Sequence, residues 1–145
     1  MVKRILVLYD GSDVSIKSLS YVLSFIDTGD HLELIYIVER DVYENIREGI
    51  EKTGGEAGDI KKVLDDLELK FRKQVRGFIE LCKTASSQVK CIFRIGGVAE
   101  EIIKETTETD YDMVVIPYSK TFEERMESIL RKIITGFKGN ILIVK

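Results

Sequence analysis

Short, uninterrupted apolar runs alternate along the chain with segments in which apolar residues recur every three or four positions. The first run, Ile5–Tyr9, is followed at once by the turn Asp10-Gly11-Ser12. Continuous runs of this length are typical of strands that are buried on both faces of a parallel sheet. Four further runs share this character, so the sequence predicts five strands: Ile5–Tyr9, Leu32–Val38, Val89–Ile95, Met113–Ile116 and Asn140–Val144.

The segments between these strands carry the spacing of amphipathic helices. The first helix is predicted over Asp13–Ile26, capped by Ser12 or Asp13, with an apolar face formed by Ile16, Leu19, Leu23 and Ile26. A long apolar register predicts one helix over Ile60–Ala85, and a shorter helix surrounds Ala99–Ile103. The last helix is predicted over Phe122–Phe137, with a capping box at Thr121 and Glu124 and an end at Gly136 or Gly139.

The segment Glu39–Asp59 breaks this pattern. It is acidic and contains Gly54, Gly55 and Gly58, which favour irregular backbone. The sequence therefore predicts a mobile loop here, with one short helix near Val42–Glu48.

Strand and helix alternate four times and a strand closes the chain, which favours a single α/β domain over residues 1–145. A parallel sheet covered by helices on both faces gives three α/β/α layers. In such sheets, ligands bind at the carboxyl ends of the strands. The residues expected there are Asp10, Gly11, Ser12, Ile37, Val38, Gly96, Pro117, Tyr118 and Ser119.

Composition excludes several classes of function. The net charge of -3 provides no basic surface for nucleic acid and no polybasic stretch for a membrane. Cys82 and Cys91 form neither a CxxC motif nor a disulfide framework, so we expect reduced thiols and a cytoplasmic location. His31 is the only histidine, which leaves a histidine-based catalytic pair or a metal site without support. We predict neither catalytic residues nor metal ligands.

Several segments together resemble the universal stress protein family over nearly the whole chain. The opening strand Lys3-Arg-Ile-Leu-Val-Leu-Tyr-Asp-Gly-Ser12 is similar to the family's first strand and its Asp-x-Ser turn. Arg94-Ile-Gly-Gly-Val-Ala-Glu-Glu-Ile102, Asp110-Tyr-Asp-Met-Val-Val-Ile116 and Asn140-Ile-Leu-Ile-Val144 resemble later elements. The resemblance implies a Rossmann-like sheet of the adenine nucleotide alpha hydrolase type, with strand order 3-2-1-4-5. It also implies homodimers that pair their fifth strands, here through Ile141, Leu142, Ile143 and Val144.

Many members of that family bind ATP through a glycine signature: Gly, two residues, Gly, nine residues, then Gly-Ser or Gly-Thr. Glycines let the backbone approach the phosphates, and free N–H groups favour their charge. Carried over to this chain, the glycine positions fall on Pro117, Lys120 and Glu127, with a matching Ser128 and only six intervening residues instead of nine. ATP binding in the family's usual mode is therefore not expected. Asp10 and Ile37 still fall where the family contacts adenosine.

Three functions stay open at this point. The first is a non-enzymatic, dimeric regulatory protein that binds a protein partner or a small ligand through the cleft and the segment Glu39–Asp59. The second is a protein that binds ATP or another adenine nucleotide through a modified phosphate site at Ser119, Lys120 and Ser128. The third is a weak ATPase, for which no catalytic base or metal set is visible. Asp10 is the best functional candidate, and its alternative role is to brace the turn after the first strand.

Overall fold

Five parallel strands form the centre of the molecule, in a computed structural model that describes residues 2–85, 87–119 and 125–145. The strands are β1 (Arg4–Leu8), β2 (His31–Glu39), β3 (Gln88–Gly96), β4 (Met113–Pro117) and β5 (Asn140–Val144). Their order in the sheet is β3-β2-β1-β4-β5, and each neighbouring pair is parallel. The predicted α/β class and strand order are confirmed.

Helices cover both faces of this sheet. They are α1 (Asp13–Phe25), α2 (Arg40–Lys52), α3 (Ala57–Gln74), α4 (Arg76–Thr84), α5 (Val98–Glu108) and α6 (Met126–Gly136). Alternate residues of β1 point to opposite faces: Leu6 packs in one apolar cluster with residues of α5 and α6, and Val7 packs in a second with residues of α1, α3 and α4. Within the described part of the chain, every helix is too short or too polar to span a bilayer.

The first helix begins as predicted, and its predicted apolar face is wrong only at Ile16. Ser12 caps α1, because its hydroxyl accepts a hydrogen bond from the backbone N–H of Ser15. Leu19 is buried and Leu23 and Ile26 pack against the core, whereas Ile16 is 53% exposed. Small buried serines, Ser15 and Ser18, let the helix approach the sheet beside Leu19 and Val22.

The segment Glu39–Asp59, predicted as a mobile loop, is largely helical. Glu39 ends β2, and the helix of 13 residues that follows contains the short helix predicted near Val42–Glu48; α3 starts at Ala57. Arg47 stabilises α2 through ion pairs with Glu44 and Glu51, one turn away on either side. Gly54 and Gly55 lie in the turn between the helices, where Gly54 has a φ of +80°, whereas Gly58 lies in the first turn of α3. A capping box between Glu56 and Asp59 then starts α3.

The helix predicted over Ile60–Ala85 is divided in two at Val75, whose backbone has a ψ of 0°. Hydrogen bonds from Val75 N to Phe71 O (3.2 Å) and from Ile79 N to Val75 O (3.0 Å) bridge the division. The apolar register is kept across it, because Phe71, Val75, Phe78 and Cys82 are all buried. In the last helix, α6 begins at Met126 in the described residues, and the predicted capping box at Thr121 and Glu124 lies outside them.

Candidate functional site

The turn after β1 is organised around the carboxylate of Asp10. Oδ1 accepts hydrogen bonds from the backbone N–H of Ser12 (2.9 Å) and from the Ser15 hydroxyl, and Oδ2 accepts one from the Ser119 hydroxyl. The Asp10 N–H in turn donates to Ser15 Oγ at 3.0 Å. Gly11 completes the turn with a φ of +83°, a conformation that favours glycine. The bond to Ser119 ties the ends of β1 and β4 together.

These hydrogen bonds also set the charge of Asp10. Burial alone raises its pKa, but the hydrogen bonds from Ser119, Ser12 and Ser15 outweigh it and hold the pKa below its ordinary value. The side chain is therefore an anion at neutral pH whose two oxygens already accept hydrogen bonds from the protein itself.

Two small pockets adjoin Asp10 at the carboxyl end of the sheet, and we refer to them together as the cleft. One has a volume of about 120 Å³ and is lined by Asp10, Tyr36, Ile37, Val38, Glu39, Val42 and Leu67. The other has a volume of about 150 Å³ and is lined by Asp10, Gly11, Tyr36, Leu67, Lys70, Phe71 and Gln74. Asp10, Tyr36 and Leu67 line both pockets, and the walls of the first are largely apolar whereas those of the second are mostly polar.

Glu39 brings a second carboxylate to the cleft. It is the last residue of β2 and is only 8% exposed. Its Oε1 pairs with the guanidinium of Arg125, which directly precedes α6. This ion pair joins the end of β2 to the start of α6.

The described residues at the end of β4 have few free backbone N–H groups that could bind an anion. Pro117 is buried and has no N–H. The N–H of Tyr118 donates to the carbonyl oxygen of Val144 at 2.7 Å and extends the sheet. Ser128 is exposed on α6 and lines neither pocket of the cleft. Glu127 is also exposed and pairs with Arg131, while Lys120 lies outside the described residues.

The predicted site residues therefore fall into groups. Asp10, Gly11, Ile37 and Val38 line the cleft, and Ser12 and Ser119 hold Asp10 in place. Tyr36 and the cleft residues of α3 were not predicted, whereas Glu39 and Val42 lie in the segment Glu39–Asp59 that was expected to adjoin the cleft but were not singled out. Glu39 could have been found, because it follows Val38 at the end of a predicted strand. No pattern in the sequence shows that Leu67 or Arg125 would reach the same place.

The residues predicted for the dimer interface form β5, which lies at one edge of the sheet and, among the described residues, pairs only with β4. Val144 is buried, Ile141 and Leu142 are partly buried, and Ile143 is 39% exposed. β5 therefore has one unpaired edge and one exposed apolar side chain.

Other chemistry is sparse in the described residues. No group of three or more histidine, cysteine, aspartate or glutamate side chains lies close enough together there to hold a metal ion. Both cysteines are free, and burial raises the pKa of the Cys82 thiol to about 11, which makes it unreactive at neutral pH.

A parallel sheet in this order, with a polar turn after β1 and a cleft at its carboxyl edge, defines the architecture of a Rossmann-like binding domain. The model of the universal stress protein family matches residues 1–145, so the chain belongs to the universal stress protein family. No curated protein sequence matches the chain significantly.

Solved structures agree with this assignment at the level of the fold. The universal stress protein UspA from Lactobacillus plantarum is 13% identical, with a TM-score of 0.71 over 99% of this chain and 97% of that one. A universal stress protein in complex with cAMP is 14% identical, with a TM-score of 0.62 over 99% and 96%. A family member from Arabidopsis thaliana with AMP bound is 10% identical, with a TM-score of 0.59 over 99% and 91%.

Proposed function

We propose that this chain is a non-enzymatic regulatory protein of the universal stress type, which acts as a homodimer and does not hold ATP in the family's usual mode. The observation that carries this proposal is the size of the cleft. In the described part of the chain its two pockets measure about 120 and 150 Å³, below the roughly 300–1,000 Å³ of pockets that enclose a whole drug-sized ligand, so they can hold only a small ligand or part of a larger one. A nucleoside triphosphate needs more room, and it also needs backbone donors that Pro117 cannot supply.

The same cleft and the adjoining helix α2 are the proposed binding surface for a protein partner or a small ligand. Val42 is 44% exposed although it lines the cleft, and none of the residues of α2 is fully buried. A ligand or partner at this place would contact α2 and the cleft together. Binding would then be sensed by helix α2.

Analysis of what co-purifies with the protein tests the proposal. The protein is purified without added nucleotide and denatured, and the supernatant is chromatographed. We expect adenine nucleotide far below one equivalent per chain. Stoichiometric ATP, ADP or AMP in the supernatant contradicts the proposal.

A second candidate function is the binding of an adenine nucleotide through a modified phosphate site. It is supported by the position of Asp10 and Ile37 in the cleft and by the relatives solved with cAMP and AMP. Ser119, Lys120 and Ser128 would supply the phosphate contacts. Titration with Mg-ATP then gives a dissociation constant that rises at least tenfold in Lys120→Ala. Lys120-dependent release of phosphate from ATP would instead indicate a weak ATPase.

A further inference from the structure

Asp10 and Glu39 line the same small pocket, but their carboxylates have different partners. Asp10 accepts hydrogen bonds from two hydroxyls and one backbone N–H. Glu39 is only 8% exposed, and its Oε1 is paired with the guanidinium of Arg125. Because this oxygen is buried and in contact with Arg125, another anion could bind the guanidinium only by displacing Glu39.

Arg125 is the positively charged group that an anionic ligand would bind. Its side chain is 51% exposed, and it directly precedes α6, whose first backbone N–H groups add partial positive charge. Glu39 already occupies this guanidinium. A phosphate in the pocket would compete with Glu39 for Arg125 and would also face the negative charge of Asp10. Repulsion between like charges is strong where apolar walls exclude water.

We propose that Glu39 acts as an internal anion and determines which ligands the cleft accepts. With Glu39 ionised and paired, the cleft prefers a neutral nucleoside-class ligand to the phosphorylated forms of the same molecule. A neutral ligand leaves the ion pair between Glu39 and Arg125 intact, and its apolar parts can pack against the apolar walls of the first pocket. This inference rests on the proposed function, because it assumes that the cleft is the ligand site.

Lys70 offers an alternative explanation for any phosphate affinity. It is exposed and lines the second pocket, on the far side of Asp10 from Glu39. If Lys70 controlled phosphate binding, a change at Glu39 would have little effect on the preference for charge. The experiment therefore includes Lys70→Gln beside the Glu39 variants.

The test measures dissociation constants of the full chain for adenosine, AMP, Mg-ATP and tripolyphosphate by isothermal titration calorimetry. Glu39→Gln keeps the shape of the side chain and removes its charge, and Glu39→Ser provides a second variant if the first does not fold. Glu80→Gln is the matched control, because it removes a carboxylate that pairs with Lys83 on α4, where no residue lines the cleft.

In the wild type, we expect adenosine to bind more tightly than Mg-ATP. Neutralising Glu39 should tighten ATP and AMP binding at least tenfold relative to adenosine and create measurable binding of tripolyphosphate. Glu80→Gln should leave this ratio within twofold of the wild type. Adding Arg125→Gln to Glu39→Gln should abolish the gain, because the freed guanidinium is then absent.

An unchanged ratio of ATP to adenosine affinity in both Glu39 variants overturns the inference. So does a phosphate affinity that depends on Lys70 instead, or the absence of binding by all four probes in every variant. Failure of the proposed function looks different: ATP would co-purify with the wild type at one equivalent. The response of the ratio to Glu39 would still decide whether this residue selects ligand charge.

Discussion

At the scale of single residues, Asp10 is both a brace and a cleft residue. Three hydrogen bonds from Ser12, Ser15 and Ser119 hold its carboxylate, and the bond from Ser119 connects elements that are 109 positions apart in sequence. The sequence analysis left these two roles as alternatives. They are compatible, because the bound carboxylate still lines both pockets of the cleft.

Asp10→Asn is expected to lower the free energy of unfolding by about 1–3 kcal/mol, because charge-assisted hydrogen bonds become weaker neutral ones and one donor meets an amide N–H₂. Chemical denaturation monitored by circular dichroism measures the change. Asp66→Asn, an exposed position on α3, is the control and should change stability by no more than about 0.5 kcal/mol. Equal stabilities of the two variants would show that Asp10 is not a brace.

The stabilising effect of Asp10 should also depend on pH. Since its folded-state pKa lies below the ordinary value of 3.8, the ionised form stabilises the fold above that pH. The effect is lost as the pH falls through the folded-state pKa. The difference in unfolding free energy between wild type and Asp10→Asn should therefore shrink below about pH 4. A difference that grows in acid contradicts the hydrogen-bond assignment.

Glu33 should show the opposite dependence. Its side chain is 7% exposed and pairs with Arg4 at 2.8 Å, while Oε2 is buried without a hydrogen-bond partner among the described residues. Burial raises its pKa above the ordinary 4.5, although Arg4 works against this. Its contribution to stability is complete below that ordinary value and is lost as the pH rises through the folded-state pKa.

Denaturation of Glu33→Gln and wild type at several pH values between about 4 and 7 tests this assignment. The variant cannot ionise, so its stability relative to the wild type should improve as the pH rises. Glu80→Gln, at an exposed position on α4, should show no such trend. A relative stability of Glu33→Gln that falls with rising pH would contradict a raised pKa for Glu33.

At the scale of elements, the turn between α2 and α3 explains why a glycine-rich acidic segment is helical. A Cβ placed on Gly55 would lie 2.5 Å from Ile50 Cγ2 and 3.0 Å from the Ile50 carbonyl oxygen. Gly58, on the first turn of α3, has nothing within 4 Å of that position. Close packing of the turn therefore requires glycine at Gly55, whereas the position of Gly58 has room for a larger side chain.

Substitution of these two glycines gives a matched pair of variants. Gly55→Ala should lower the free energy of unfolding by about 1–3 kcal/mol, because the backbone of the turn must shift to relieve the overlap. Gly58→Ala should raise it by about 0.4–1 kcal/mol, because alanine favours a helix and restricts the unfolded chain. Thermal unfolding measures both changes in stability. A gain of stability in both variants would contradict the close packing of Gly55 in the α2–α3 turn.

The strands and most helices could be predicted because hydrophobic periodicity reflects local burial. Leu6 and Val7 point to opposite faces of the same strand, so a continuous apolar run identifies a central strand. The exposure of Ile16 on α1 could not be predicted, because Ser15 and Ser18 are buried through tertiary contacts that their polarity conceals. The extent of α2 beyond the predicted short helix near Val42–Glu48 was underestimated, because ion pairs of Arg47 and packing at Gly55 outweigh the local preference of glycine.

Only some of the cleft residues could be predicted, because the others reach the cleft through tertiary packing that local sequence patterns do not show. Asp10, Ile37 and Val38 follow from the rule that parallel strands end at one edge of the sheet. Leu67 and Arg125 reach that edge from elements distant in sequence, and their position depends on how α3 and α6 pack. The role of Glu39 can be recognised only from the structure, which shows both its burial and its ion pair with Arg125.

At the scale of the whole molecule, the unpaired edge of β5 predicts a dimer. An exposed edge with an apolar side chain is normally paired or covered in a stable protein. Light scattering should give a mass of about twice the 16.6 kDa chain for the wild type and about one chain mass for Ile143→Asp. Leu81→Asp is the control, since Leu81 is 57% exposed on α4 and should leave the dimer intact.

We propose above that the end of β4 and the small cleft do not hold a triphosphate through the glycine signature, which this chain lacks. The most direct measurement is a crystal structure of the protein soaked with Mg-ATP. We expect no ordered polyphosphate at the segment from Pro117 to Ser128. Density for the phosphates held by the backbone N–H groups of that segment would contradict the account.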